Sequence, residues 1–208
     1  MFVNCPFDAD FRQMMLAMVF TIQRLNFHPR LALERNNSAE SRIQKIVGLI
    51  EESKFGLHDL SRMESKAANE LARMNMPFEL GIDFGCKHLK IGKWSEKKIL
   101  ILDSGQYRYQ AALSDLAGSD IRSHKNKTKK AIREVRDWLV VESRQAGPSF
   151  RSIWSDFNYF NSFLADELEK IGAKPKDIDQ TPVAEVMRYM ELWFDTRDSS
   201  HDDVQIAD

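Results

Sequence analysis

The run Lys97-Lys98-Ile99-Leu100-Ile101-Leu102-Asp103 is the feature that most narrows the fold: a charged entry, an unbroken apolar stretch and an acidic exit. A strand without polar alternation is apolar on both faces and belongs in a sheet covered on both sides. Residues 2–5 and 55–60 repeat the pattern on a smaller scale, 30–34 (RLALE) reads as a second strand, and 120–123 as a short last one. Helical spacing fills the intervals. Phe11, Met14, Met15, Met18, Val19, Ile22 and Leu25 mark one helix, which His28-Pro29 ends, and Ile43, Ile46, Val47, Leu49 and Ile50 mark another ending near Ser53. Residues 78–89 form a third, entered through Pro77, whose missing N–H costs nothing in a first turn. Residues 111–116 suit a short helical piece, and 129–143 a helix with Ala131, Ile132, Val135, Trp138, Leu139 and Val141 inward. Strands alternating with helices imply right-handed crossovers and a parallel sheet covered on both faces, an α/β fold.

At 208 residues and 43% hydrophobic content, the chain can bury a full core. A net charge of -1 gives no overall pull towards nucleic acid or an anionic membrane. The longest apolar runs are too short to span a bilayer, which takes about 20 residues. The opening MFVNCPFDAD lacks a cationic and apolar leader, and Cys5 and Cys86 stand apart, so a reduced, cytoplasmic protein is expected. Gly147-Pro148 marks a boundary between an α/β unit (1–146) and two aromatic-rich helical stretches (147–197), expected to cap the sheet or join subunits. The polar tail 198–208 is expected to be disordered. The basic run 122–136 suits a solvated helix start better than a nucleic-acid contact.

Ligands of open parallel sheets bind beyond the carboxyl ends of the strands. That rule selects Asn4, Pro6, Phe7 and Asp8 after the first strand, Glu34 and Arg35 after the second, His58, Asp59, Ser61 and Arg62 after the third, and Asp103 and Tyr107 after the fourth. Glu79, in the first turn of the next helix, faces the same crevice, and Gly81 permits close packing under a ligand. A carboxylate there can accept ribose hydroxyls, stabilise an oxocarbenium cation or act as a nucleophile. The plain alternative is an acid favoured by the helix dipole. Asp59 either binds ribose or holds a turn. His58, on the opposite side of the strand from Asp59, reads as structural. Arg62 and Arg73 are phosphate-contact candidates, although each alone reads better as a solvated loop arginine. No glycine-rich phosphate loop occurs, and the histidines lack metal-ligand spacing.

The strings FVNCPFD (2–8), FGLHDLSR (55–62) and MNMPFELGIDFG (74–85) resemble those of a bacterial protein family that carries the same three motifs in the same order. ILILD (99–103) and YRYQ (107–110) fit too, so the resemblance runs from Phe2 to about residue 140. More distantly, the layout is similar to nucleoside 2-deoxyribosyltransferases and TIR domains, which cleave N-glycosidic bonds with a glutamate on the helix after the third strand. Glu79-Leu80-Gly81 matches the end of the deoxyribosyltransferase pattern, while Asn75 and Met76 stand where that pattern has Asp-x-Gly-Thr. The resemblance implies a flavodoxin-like sheet of about five strands in the order 2-1-3-4-5. It also implies an N-glycosidase of NAD or a related nucleotide, needing no further cofactor and acting in antiphage defence, often as a homo-oligomer or with a partner protein. Glu79 and Asp59 would be catalytic, and Asn4, Pro6, Phe7, Asp8, Glu34, Ser61, Arg62, Asn75 and Tyr107 would contact substrate. The alternatives are a nucleotide sensor that turns nothing over, or an oligomerising scaffold.

Overall fold

A computed structural model describes residues 1–34, 37–65, 74–105, 113–116 and 118–202, the last five as backbone alone. Among these residues four parallel strands, β1 (Phe2–Asn4), β2 (Phe55–Asp59), β3 (Lys98–Asp103) and β4 (Arg122–Ser123), lie in the order β1-β2-β3-β4. Among the described residues seven α-helices accompany them: α1 (Arg12–Arg24), α2 (Arg42–Glu52), α3 (Asn75–Leu89), α4 (Thr128–Ser143), α5 (Phe150–Lys170), α6 (Pro175–Ile178) and α7 (Val183–Asp202). No described helix is long and apolar enough to cross a membrane.

Strand alternation divides the core. Val3, Phe55, Leu57, Leu100 and Leu102 pack with apolar residues of α1 and α4, in a cluster that continues into α5 and α7. Phe2 and Ile101 point the other way, to clusters built with Ile46, Leu49, Ile50 and Cys86 or with Leu80 of α2 and α3. Residues 14–22 of α1 are all buried, because α1 lies between the sheet and the C-terminal helices. Phe20 stacks against Phe157, Phe160, Trp193 and Phe194 with ring centroids 5.0–5.5 Å apart, so α5 and α7 pack on the sheet's own first helix.

Three expectations need correction. The second strand expected at 30–34 reduces to one parallel bridge, Phe2 with Arg30, on the edge of β1 away from β2. The chain turns instead because the Glu34 carboxylate accepts hydrogen bonds from Arg30 Nε (2.9 Å) and from the Leu31 amide (3.2 Å). Helix α3 starts at Asn75, so Pro77 still sits among the N–H groups that lack an intrahelical acceptor, but Glu79 falls in the second turn. Helix α7 continues to Asp202, so the first residues of the expected disordered tail are helical; residues 203–208 lie outside the described part. Of the helical piece expected at 111–116, a 3-10 turn at Ser114–Leu116 is described.

Candidate functional site

Asn4, Asp59 and Asp103 close the carboxyl ends of β1, β2 and β3, and His124 follows β4 directly. All four are buried. Asp59 continues the Phe55–Leu57 side of β2 and turns towards α1 and α4. Its Oδ1 accepts from the Ser61 amide (2.9 Å) and the Ser61 hydroxyl (2.5 Å). Its Oδ2 lies 3.0 Å from His124 Nε2, whose other ring nitrogen accepts the Asn126 amide at 3.0 Å. Asp59 therefore ties the end of β2 to the β4–α4 turn. That is the turn-aspartate reading in physical form, although the carboxylate stays at the strand ends.

His58 turns to the other face, as alternation requires, into a buried polar chain. Asn4 Nδ2 donates to His58 Nδ1 (3.0 Å) and to the Met76 carbonyl (2.9 Å). His58 Nε2 lies 3.0 Å from Asp83 Oδ2, and Asp83 Oδ1 lies 3.1 Å from Lys97 Nζ. Lys97 is 1% exposed and also donates to the carbonyls of Ile50 (2.7 Å) and Ser53, neutralising the end of α2. Gly56 makes this possible: a Cβ there would lie 2.2 Å from Asp83 Oδ2.

The Asn4–Met76 bond fixes α3 over the end of β1, and Glu79 comes three residues later. Glu79 is 4% exposed, and its Oε1 lies 3.6 Å from Nη2 of Arg42, the half-exposed first residue of α2. Burial raises the Glu79 carboxyl above its ordinary value, against an opposing pull from Arg42. A second-turn acid buried against the neighbouring helix is not explained by the helix dipole, whose effect fades within the first turn. Cys5, buried just beyond Asn4, has its thiol pushed well up by desolvation and then by Asp59, Glu79 and Asp8. These three carboxylates thus lie within electrostatic reach of one atom at the end of β1.

The other candidates divide. Asp8 caps the 3-10 turn Ala9–Phe11 through the Phe11 amide (3.1 Å) and pairs with Arg62 (3.2 and 3.3 Å). Pro6 is buried and Phe7 packs on the main core, so neither ring stands free as a stacking platform. Glu34 is held by Arg30, and Asn75 is exposed at the start of α3. Gly81 faces open space: a Cβ there would meet nothing within 4 Å, because two residues along a helix lie on nearly opposite sides from Glu79. Gly81 therefore lies on the side of α3 away from Glu79. Arg35, Arg73 and Tyr107 lie outside the described residues. Cavities of about 220 Å³ beside Tyr189 and about 250 Å³ beside Trp94 lie away from these strand ends.

Sequence reasoning missed Arg42, Asp83, Lys97 and His124. The strand-end rule applied to 120–123 would have found His124, one residue after β4. Lys97 gave no such signal, since a lysine opening a strand reads as solvated. Comparison with protein-family models, curated proteins and solved structures found no match to the chain.

Proposed function

We propose that the protein is an N-glycosidase of NAD or a related nucleotide, on a flavodoxin-like sheet, with Glu79 engaging the ribose. The observation that carries this reading is Glu79 itself: a buried, desolvated carboxylate beside the end of β1, paired to the half-exposed Arg42. Such a group can stabilise a developing oxocarbenium ion or bond to the anomeric carbon before water releases the sugar.

NAD is the better substrate on chemical grounds. Its nicotinamide nitrogen is cationic before cleavage and departs neutral, so no proton is delivered to it. Water and NAD give ADP-ribose, nicotinamide and a proton. A neutral nucleoside needs a general acid for its leaving base. Both described histidines at the strand ends are engaged in buried contacts, His58 with Asn4 and Asp83, and His124 with Asp59 and the Asn126 amide. Asp59 then serves as a positioning residue for the β2 and β4 ends. A role as an antiphage effector in bacteria, assembled with itself or a partner protein, follows from the motif resemblance.

The test is chromatography of nicotinamide and ADP-ribose after incubation with NAD, beside a panel of nucleotides and nucleosides. Release by wild type, reduced on the order of 10²-fold or more in Glu79→Gln, is the expected result. Intact NAD recovered in stoichiometric complex would assign a sensor instead. No release and no binding would end the nucleotide reading.

A further inference from the structure

The buried chain from Lys97 to Asn4 fixes where hydrogens sit, and with them what kind of group the end of β1 can accept. The Met76 oxygen is a backbone carbonyl and can only accept, so the Asn4 atom facing it is the NH₂ group. The second hydrogen of that group points at His58 Nδ1, which must then be the unprotonated ring nitrogen. The ring proton sits on Nε2, facing the Asp83 carboxylate, which Lys97 holds in turn. A doubly protonated imidazole would set N–H against N–H at Asn4. Each assignment forces the next, and together they leave the Asn4 oxygen as the surplus group: buried and, among the described residues, without a hydrogen-bond partner.

We propose that Lys97, Asp83 and His58 are positioning residues that lock the Asn4 amide with its oxygen as the free acceptor, so that the ligand group bound there is a donor, a sugar hydroxyl, and not a phosphate oxygen. This rests on the nucleotide reading of the crevice and sharpens it. A buried acceptor left unmatched is costly, so the group that meets it contributes strongly to selectivity. The electrostatics agree: Asp59, Glu79 and Asp8 all act on the Cys5 thiol beside Asn4, and that field repels a phosphate and favours hydroxyl hydrogens. The cations that face these carboxylates, Arg42 on Glu79 and Arg62 on Asp8, are already engaged in those pairs.

Two measurements on the full chain test it. Histidine side-chain nitrogen NMR of wild type reads the tautomer without any ligand. His58 with a bare Nδ1 and a hydrogen on Nε2 is expected; a proton on Nδ1 overturns the chain. Equilibrium binding is then measured for ADP-ribose and for its forms lacking the 2″- or the 3″-hydroxyl of the terminal ribose. One deletion is expected to weaken wild-type binding about tenfold. In Asn4→Leu, which keeps the side-chain volume and removes the acceptor, ADP-ribose falls to the level of that deoxy form and the discrimination disappears. Lys97→Met, if folded, loses the same discrimination through a displaced amide. Discrimination unchanged in Asn4→Leu overturns the ligand assignment. Correct tautomer with no binding of any probe refutes the nucleotide reading and the hydroxyl ligand but leaves the positioning chain standing.

Discussion

Gly56→Ala isolates the buried chain with a single methyl group. The added Cβ would lie 2.2 Å from Asp83 Oδ2 and 3.2 Å from His58 Nε2. Asp83 would have to withdraw by more than about 1 Å to reach ordinary contact distance. Its 3.0 Å contact with His58 does not survive that movement, and its 3.1 Å contact with Lys97 is strained by it. The backbone offers no relief and no objection, since Gly56 is not among the positive-φ residues. Alanine in a strand gains roughly 0.5–1 kcal/mol over glycine. Disrupting a buried ion pair costs about 3–5 kcal/mol. The net loss is roughly 2–4 kcal/mol, a lowering of Tm on the order of 5–15 °C for a chain of this size. Thermal and urea denaturation read it directly. Combined with Asp83→Ala, the losses should fall well short of additive, because the first substitution has already removed the contact that the second deletes. A Gly56→Ala protein that melts within about 2 °C of wild type, or a strictly additive cycle, would refute the packing of Asp83 against Gly56.

Glu79→Gln is expected to stabilise the protein at neutral pH while lowering turnover on the order of 10²-fold or more. The folded-state carboxyl is raised, so between its ordinary value of 4.5 and the raised value the folded chain binds more protons than the unfolded one, and stability falls as pH rises through that window. Melting curves should show the glutamine variant ahead above the window and level with wild type below 4.5, by about 1.4 kcal/mol for each unit of displacement. Arg42→Ala removes the pull that holds the Glu79 carboxyl down, so the acid limb of the pH–rate profile should move to higher pH; a move to lower pH contradicts the pairing. Gly81→Ala meets open space in an α-helix and should add roughly 0.5–1 kcal/mol of stability with unchanged activity in a nicotinamide-release assay.

The sheet was legible because β2 and β3 carry apolar residues on both faces, and the amphipathic spacing of α1, α2 and α4 left little choice of element. The expected strand at 30–34 misled because its alternation is right while its pairing with β1 stops at one bridge: Glu34 folds back on Arg30 and Leu31 before a second can form. Strand alternation correctly separated His58 from Asp59, and the strand-end rule found Asn4, Asp59 and Asp103. What no local pattern carries is pairing across the fold. Lys97 is 47 residues from Ile50, and Asp83 is 25 from His58, so their meeting depends on the order of the strands. Glu79 was found by motif and position, whereas its burial and its partner Arg42 needed the packing of α2 on α3.

The enclosure of α1 bears on how the chain acquires its structure during synthesis. This helix leaves the ribosome well before α5 and α7, yet the rings that Phe20 stacks against lie in residues 157–194, far along the chain. Until α5 and α7 emerge, a segment in which Met14 through Ile22 are all destined for the interior has one side without cover. Long-range closure of this kind is slow, and the waiting surface is open to aggregation and to chaperones. The nascent chain therefore completes its core only once synthesis has passed Trp193, and premature stops before that point should yield insoluble fragments instead of a smaller working domain.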